Sequence, residues 1–435
     1  VDRNPLRLRR LRAADLERKP ASIPDPVTAD RAAAIVADVR ERGEAALLGY
    51  ARELDGLGEG PLYLGPRDFR KALDALPRDS RELLERAGAR IGAFAKAQAA
   101  SLSALEVPVP GGFAGHEVLP VETAGCYAPG GRYPLPSSVL MTALTAKAAG
   151  VGTVWTASPR PARETLAACA VAGADGLLAA GGAQAIAALA YGAGPVPPCA
   201  RVVGPGNRWV AAAKRLVAGD TVIESVAGPS ELLVLADDGA DPEIAAADLL
   251  AQAEHDPDAV PVLACRTEAF AARVEEALER RLADLPTGEV ARRALDNGGV
   301  LVDPDLKTLV RAADAFAPEH LEILCEEPEA LARKIRNAGA VFLGAGTAEV
   351  LGDYGTGPNH VLPTGAHARL AGGLSALSFL RVRTWIRIDD PADASELYRD
   401  AAAFARMEGL EAHARAGEVR GRRPVDSGRK APAGA

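Results

Sequence analysis

Aromatic residues make up only 4% of this 435-residue chain, and methionine occurs twice. Cores with so little aromatic bulk must close on alanine, leucine and valine. The five cysteines, Cys126, Cys169, Cys199, Cys265 and Cys325, are scattered and odd in number, and no CxxC pair occurs. That argues against a disulfide framework and a thiolate zinc knuckle, and for a reducing cytoplasm. Basic charge is not in excess either. The net charge is −8, which speaks against a nucleic-acid partner. The opening VDRNPLRLRRLRAADLERKP has no apolar core of the kind a signal peptide needs. Residues 176–200 carry no charge, but a membrane span needs roughly 20 strongly apolar residues. This segment is rich in Ala and Gly and broken by Pro195, Pro197 and Pro198, so it reads as a buried helix followed by a loop. The whole chain, 48% hydrophobic and 25% charged, suits a soluble globular protein of about two to four domains.

Residues 1–25 read as a basic arm with a short helix. From 28 to 105 apolar residues recur at three and four spacing, which predicts helices, with Thr28 or Asp30 capping the first. Near 116 the texture changes. HEVLPVETAGCYAP is strand-like, and short apolar runs (GTVWTAS, DGLLAA, ARVVG, DTVIES) then alternate with helical stretches. ELLVLAD at 231–237 begins a second alternating series with VPVLAC, GGVLVD, HLEILC and AGAVFLG. Such alternation predicts an α/β fold with parallel sheets and crossover helices. The stretch DASELYRDAAAFARMEGLEAHARAGEVR reads as helix, and the tail beyond about 420 as disordered.

Several polar clusters punctuate this pattern. LLAQAEHDPD ends an alanine-rich helix with Gln252 and His255 three apart, on one face. FAPEHLEIL holds Glu319 and His320 just after Pro318. If Pro318 opens a helix, its positive end disfavours the imidazolium and keeps His320 available as a base; alternatively the pair is a solvated loop. LGDYGTGPNHVLPTG is a loop able to approach a ligand closely, carrying Asp353 and His360, or a turn whose polar side chains cap backbone groups. MEGLEAHAR holds Glu408 and His413 five apart, about 140° around a regular helix, so one helical face does not unite them. Two His and one Asp form a plausible zinc or manganese set, with Gln a weak ligand. VVGPGNRWVAAAKR runs strand, turn, helix, but Trp209 occupies the third glycine position of a dinucleotide fingerprint. FLGAGTAEVLGD offers another GxG, with Glu349 in that position. YAPGGRYPLPSS and AGGAQAIAALAYG are further glycine-rich turns before helices, where backbone N–H groups can face a ligand.

Taken together and in order, CYAPGGRYPLPSSVLM, AAGGAQAIAALAYG, VVGPGNRWVAAAKR, VAGPSELLVLAD, LLAQAEHDPD, FAPEHLEI, GDYGTGPNHVLPT and EGLEAH closely resemble the histidinol dehydrogenase family over roughly residues 25–415. The resemblance implies two Rossmann-like, aldehyde-dehydrogenase-like α/β units. The expected division is 26–125 with 231–375 as the first α/β domain, 126–230 as the second, and 376–420 as a helical extension crossing to a partner subunit. The implied activity is the four-electron oxidation of L-histidinol to L-histidine with two NAD+ and one zinc per subunit. The implied zinc ligands are Gln252, His255, Asp353 and His413, the last donated by the partner of a homodimer. Glu319 and His320 match the catalytic pair. Ser230, Glu408, His320 and the zinc ligands match substrate contacts, and His360 lies in the matching loop. Tyr127, Gln184 and Asn207 match NAD contacts.

Histidinol carries an imidazole and an amine, both good donors to a borderline metal, so the metal can orient the substrate. Neutral His320 would remove the alcohol proton, and Glu319 would activate water on the aldehyde. No cysteine nucleophile is needed; Cys126 beside Tyr127 is the one candidate for a thiohemiacetal. The alternatives are a related zinc-dependent dehydrogenase of another small polyol, such as a sulfonated diol, and a non-catalytic binding protein of the same fold. His116 and His367 receive no role.

Overall fold

The alternating apolar runs become two six-stranded sheets. The computed structural model describes residues 6–19, 25–130, 134–225 and 228–421. In chain order its strands are β1 (Arg10–Leu11), β2 (Tyr63–Leu64), β3 (Leu105–Val109), β4 (Gly112–Pro120), β5 (Thr123–Tyr127), β6 (Thr153–Ala157), β7 (Gly176–Leu178), β8 (Arg201–Val203), β9 (Val222–Ile223), β10 (Glu231–Ala236), β11 (Val260–Cys265), β12 (Gly299–Val302), β13 (His320–Leu324), β14 (Ala340–Leu343) and β15 (Leu380–Ile388). The chain divides into a larger unit, residues up to 99 with 121–379, and a smaller one, 100–120 with 380 onward.

In the larger unit one sheet has the order β1-β12-β11-β10-β13-β14 and is parallel throughout. Successive residues of β10 point to opposite faces. Leu232 and Val234 enter a core with helices Pro242–Ala253 and Glu268–Asp284, and Leu233 and Leu235 enter another with helix Leu306–Phe316. Both faces are covered, which explains why these strands read as continuous apolar runs. The other sheet has the order β2-β7-β6-β5-β8-β9, parallel except at β2. From β5 the chain moves through β6 and β7 to one side and through β8 and β9 to the other. Its topological switch point is therefore the carboxyl end of β5, at Tyr127.

Three expectations change. Helices Pro26–Arg42 and Glu44–Leu54, expected with 231–375, pack on helices Gly182–Tyr191 and Arg208–Val217 of the second sheet, burying Ile35, Val36, Val39 and Leu47. Their apolar stripes fit either sheet, and only packing selects one. The first helix is capped by Asp25, which accepts from Thr28 N–H, because Pro26 takes the first helical position. The 376–420 region is not wholly helical: β15 pairs antiparallel with β4, and β4 with β3. In its LRVRTWIRI, Arg381, Arg383 and Arg387 alternate with Val382, Thr384, Ile386 and Ile388, a period-2 pattern. Helices Ser395–Met407 and Glu411–Gly421 complete the smaller unit, meeting at Ala402, Ala405 and Ala414. Residues 176–200 form β7, the buried helix Gly182–Tyr191 and a loop. Among the described residues no helix is long and apolar enough to cross a membrane. The expected disordered tail from 422 and residues 1–5 and 20–24 of the arm lie outside the described residues.

Candidate active site

The carboxyl end of helix Pro242–Ala253 lies toward the edge where β10, β11 and β13 begin, because the crossover helix runs back against the strands it connects. Gln252 lies in the last turn and His255 just beyond the cap residue Glu254, with His255 N–H returning to the Gln252 carbonyl at 3.4 Å. The Gln252 side chain is 1% exposed, and its Oε1 is buried with no hydrogen-bond partner. A buried amide oxygen without a donor costs about 1–3 kcal/mol, so its position calls for an electropositive ligand. His255 Nε2 stands 3.5 Å from Asp353 Oδ2. Asp353 ends the short helix Val350–Asp353, and its carbonyl accepts from His360 Nδ1 at 3.2 Å. Burial pushes the His360 imidazole below its usual range.

His320 opens β13 rather than a helix, which corrects the helix-end expectation. Its neutrality has another cause: the ring is buried and loses its hydration, which pushes it down to about 4. His320 Nδ1 lies 3.1 Å from the backbone carbonyl of Glu231. A carbonyl only accepts, so Nδ1 carries the proton and Nε2 keeps its lone pair. Glu231 N–H donates to Glu319 Oε2 at 2.9 Å. Burial raises the Glu319 carboxyl well above the usual range, and the charges of Glu231, Asp353 and Glu349 act the same way. Ser230 precedes β10, and its carbonyl accepts from Val260 N–H.

The structure adds acids that sequence reasoning did not single out as site residues. Glu349, noted only in a weak GxG context, is fully buried with Oε1 3.5 Å from His320 Nε2, and burial raises it to about 8. One ligand atom each from His320, Glu349 and Asp353 lie within 4.8 Å of one another, close enough for a metal ion. Behind them the Glu322 carboxyl, two residues along β13 from His320, faces the Asp248 carboxyl of helix Pro242–Ala253. A charged residue inside HLEIL was the available signal for Glu322. Asp248 hides in AAADLL, where one acid looks like a solvent-facing position.

The proposed NAD residues line the switch-point edge of the second sheet. Tyr127 OH accepts from Gly182 N–H at 3.3 Å, and Gln184 Nε2 donates to Asp55 Oδ2 at 2.9 Å. Asn207 caps helix Arg208–Val217 by accepting from Trp209 and Val210 N–H. Gly204, the first glycine of GPGN, has φ +120°, and a Cβ there would meet the Tyr127 carbonyl at 2.0 Å. Cys126 is fully buried within β5, and burial pushes its thiol upward, which removes the thiohemiacetal candidate. Residues 131–133 of YAPGGRYPLPSS lie outside the described residues.

Glu408 and His413 belong to the smaller unit and are exposed. Glu408 ends one helix, Gly409 turns at φ +78°, and His413 lies in the next helix, so no continuous helix relates them. His116 Nε2 meets the Ser103 carbonyl and His367 Nδ1 the Thr364 carbonyl.

Comparison with known proteins gives one consistent result. The family model described as histidinol dehydrogenase matches residues 19–421. A histidinol dehydrogenase of Thermus thermophilus is 47% identical over 398 residues, covering 91% of this chain and 95% of its own. One from Natronomonas pharaonis is 46% identical over 386 residues, covering 87% and 90%. The crystal structure of histidinol dehydrogenase from Elizabethkingia anophelis superposes with a TM-score of 0.88 at 29% identity, covering 94% of this chain and 95% of that one.

Proposed function

This chain belongs to the histidinol dehydrogenase family, and on that premise we propose that it oxidises L-histidinol to L-histidine at a zinc site, using two NAD+ and one water and releasing two NADH and three protons. The reading is supported by residues far apart in the chain meeting on one edge: His255, Asp353 and His320, with Glu319 beside them. A sulfonated-diol dehydrogenase is not favoured, since the named relatives are histidinol dehydrogenases.

Gln252, His255 and Asp353 suit a divalent cation: one imidazole, one carboxylate and a buried carbonyl oxygen lacking any other partner. His413 of a second copy of the chain would be the fourth ligand. The exposed Ile386, Phe404 and Met407 of the smaller unit, 77%, 65% and 82% accessible, give a homodimer apolar surface to cover. The bound cation would hold the amine and imidazole of the amino alcohol and so orient it. NAD+ would supply the hydride acceptor beside the Tyr127, Gln184 and Asn207 edge.

The remaining chemistry falls to side chains. His320 offers an unprotonated Nε2 for the alcohol proton, its tautomer held by the Glu231 carbonyl. The Glu319 carboxyl, raised by burial, is a strong base toward water once ionised. It delivers that water to the aldehyde, giving the hydrate from which the second oxidation proceeds. Ser230 and Glu408 would contact the substrate, as would His360. The reducing cytoplasm suits its five unpaired thiols.

NADH formation at 340 nm with L-histidinol, with and without a chelator, tests the reading. Turnover lost on chelation and restored by zinc is the expected result. Turnover of a sulfonated diol instead, or none with full metal loading, would refute it. Mixing inactive His413→Ala and His320→Ala protomers should restore part of the activity if sites are shared.

A further inference from the structure

The basic arm plays no part in the chemistry described so far, yet its Arg18 reaches Glu231, whose peptide groups hold Glu319 and His320. Its start is stitched to the first sheet. β1 pairs with β12, and Glu275 accepts from Leu8 N–H at 2.9 Å, Arg7 Nη1 at 2.8 Å and Arg10 Nη1 at 2.6 Å. The short turn Ala13–Leu16 buries Leu16 beside Phe316. That leaves Arg18 with its N–H on the Ala315 carbonyl at 3.4 Å and its guanidinium 3.8 Å from the centre of the Phe316 ring. From there Arg18 Nη1 pairs with Glu231 Oε1.

Glu231 is 3% exposed, and among the described residues no other cation pairs with it. Both of its backbone groups are committed to catalytic side chains: the N–H to Glu319 Oε2 and the carbonyl to His320 Nδ1. We propose that Arg18 is a positioning residue, which anchors the Glu231 side chain and thereby fixes the two peptide groups that orient Glu319 and His320. Burial raises the Glu231 carboxyl, and Arg18 pulls it back most, with the backbone of Gly365 and Glu319 adding smaller contributions. Without the guanidinium, Glu231 must take up a proton or turn toward water. A turn would shift the first residue of β10, and a displacement of about 1 Å at a reacting group can cost about a hundredfold in rate.

This inference rests on Glu319 and His320 being the catalytic pair, and His320→Ala tests that assignment separately. The experiment compares metal-loaded wild type, Arg18→Met, Glu231→Gln and the double variant, measuring kcat and KM for L-histidinol and NAD+, metal content and Tm. Methionine keeps the packing on Phe316 but not the charge. Arg18→Met is expected to lower kcat about tenfold or more, with both KM values and the metal content within about twofold. The double variant, with no charge left to compensate, is expected to recover most of that loss. Unchanged kcat in Arg18→Met, or a loss that Glu231→Gln does not relieve, overturns the proposal. If Arg18→Met does not fold, Arg18→Lys decides: kcat within about threefold supports a charge anchor, and a tenfold fall overturns it. An active His320→Ala would instead refute the catalytic assignment.

Discussion

Replacing Glu322 with glutamine should make the protein more stable, and increasingly so as pH rises. Glu322 is fully buried in β13, and Asp248, 6% exposed, meets it from helix Pro242–Ala253. Two buried carboxyls facing one another cannot both be ionised, so they share a proton. Burial pushes Glu322 up to about 10 from 4.5. The folded chain therefore holds a proton between these values that the unfolded chain has released. Its stabilising contribution is complete below about 4.5 and is lost as pH rises toward 10, at about 1.4 kcal/mol per pH unit. From pH 5 to pH 8 that amounts to about 4 kcal/mol. Because Asp248 shares the proton, about 2–4 kcal/mol is the expected range. In Glu322→Gln the amide donates to ionised Asp248 and nothing at position 322 titrates. Denaturant unfolding of both metal-loaded proteins at pH 5, 6.5 and 8 reads the effect. The two should be nearly equal at pH 5 and separate in favour of the variant by pH 8. A gap that stays constant with pH, or favours wild type at pH 8, would refute the shared-proton argument.

Gln252→Leu should abolish tight metal binding yet leave the metal-free protein as stable as wild type or about 1 kcal/mol more so, since it removes a partnerless buried carbonyl; metal titration and melting of the metal-free protein check both halves. Lys214 and Glu224 form a buried ion pair, 2% and 5% exposed, with Nζ to Oε2 at 2.7 Å. Both also bind Gly204, through its carbonyl and its N–H. Lys214→Met should therefore cost about 3–5 kcal/mol and raise KM for NAD+, with Glu224→Gln in the same chain relieving part of the loss. His320→Ala should stop turnover while metal content stays at wild-type level, because neither His320 ring nitrogen is needed to hold the cation; zinc loss measured by metal analysis would contradict that role.

The run ELLVLAD and its counterparts announced parallel strands, because a strand covered on both faces needs apolar residues at every position. Gly204 and Asn207 likewise signalled a turn before a helix, since backbone conformation and capping are decided within a few residues. Nothing local could assign the helices of 26–54 to one sheet rather than the other. The strand 380–388 had a visible period of two, but β-pairing depends on a partner, β4, some 270 residues away. His320 shows the division most clearly. FAPEHLEI marked it as a candidate base, whereas its strand, its tautomer and the reason for its neutrality were not legible there. Glu231 and Arg18 were silent in the chain and Glu349 stood out only by its place after a GxG, because an acid or an arginine has no distinctive local pattern. Their roles arise from burial and from the atoms that face them, and desolvation and hydrogen bonding act through space, across separations that sequence order does not record.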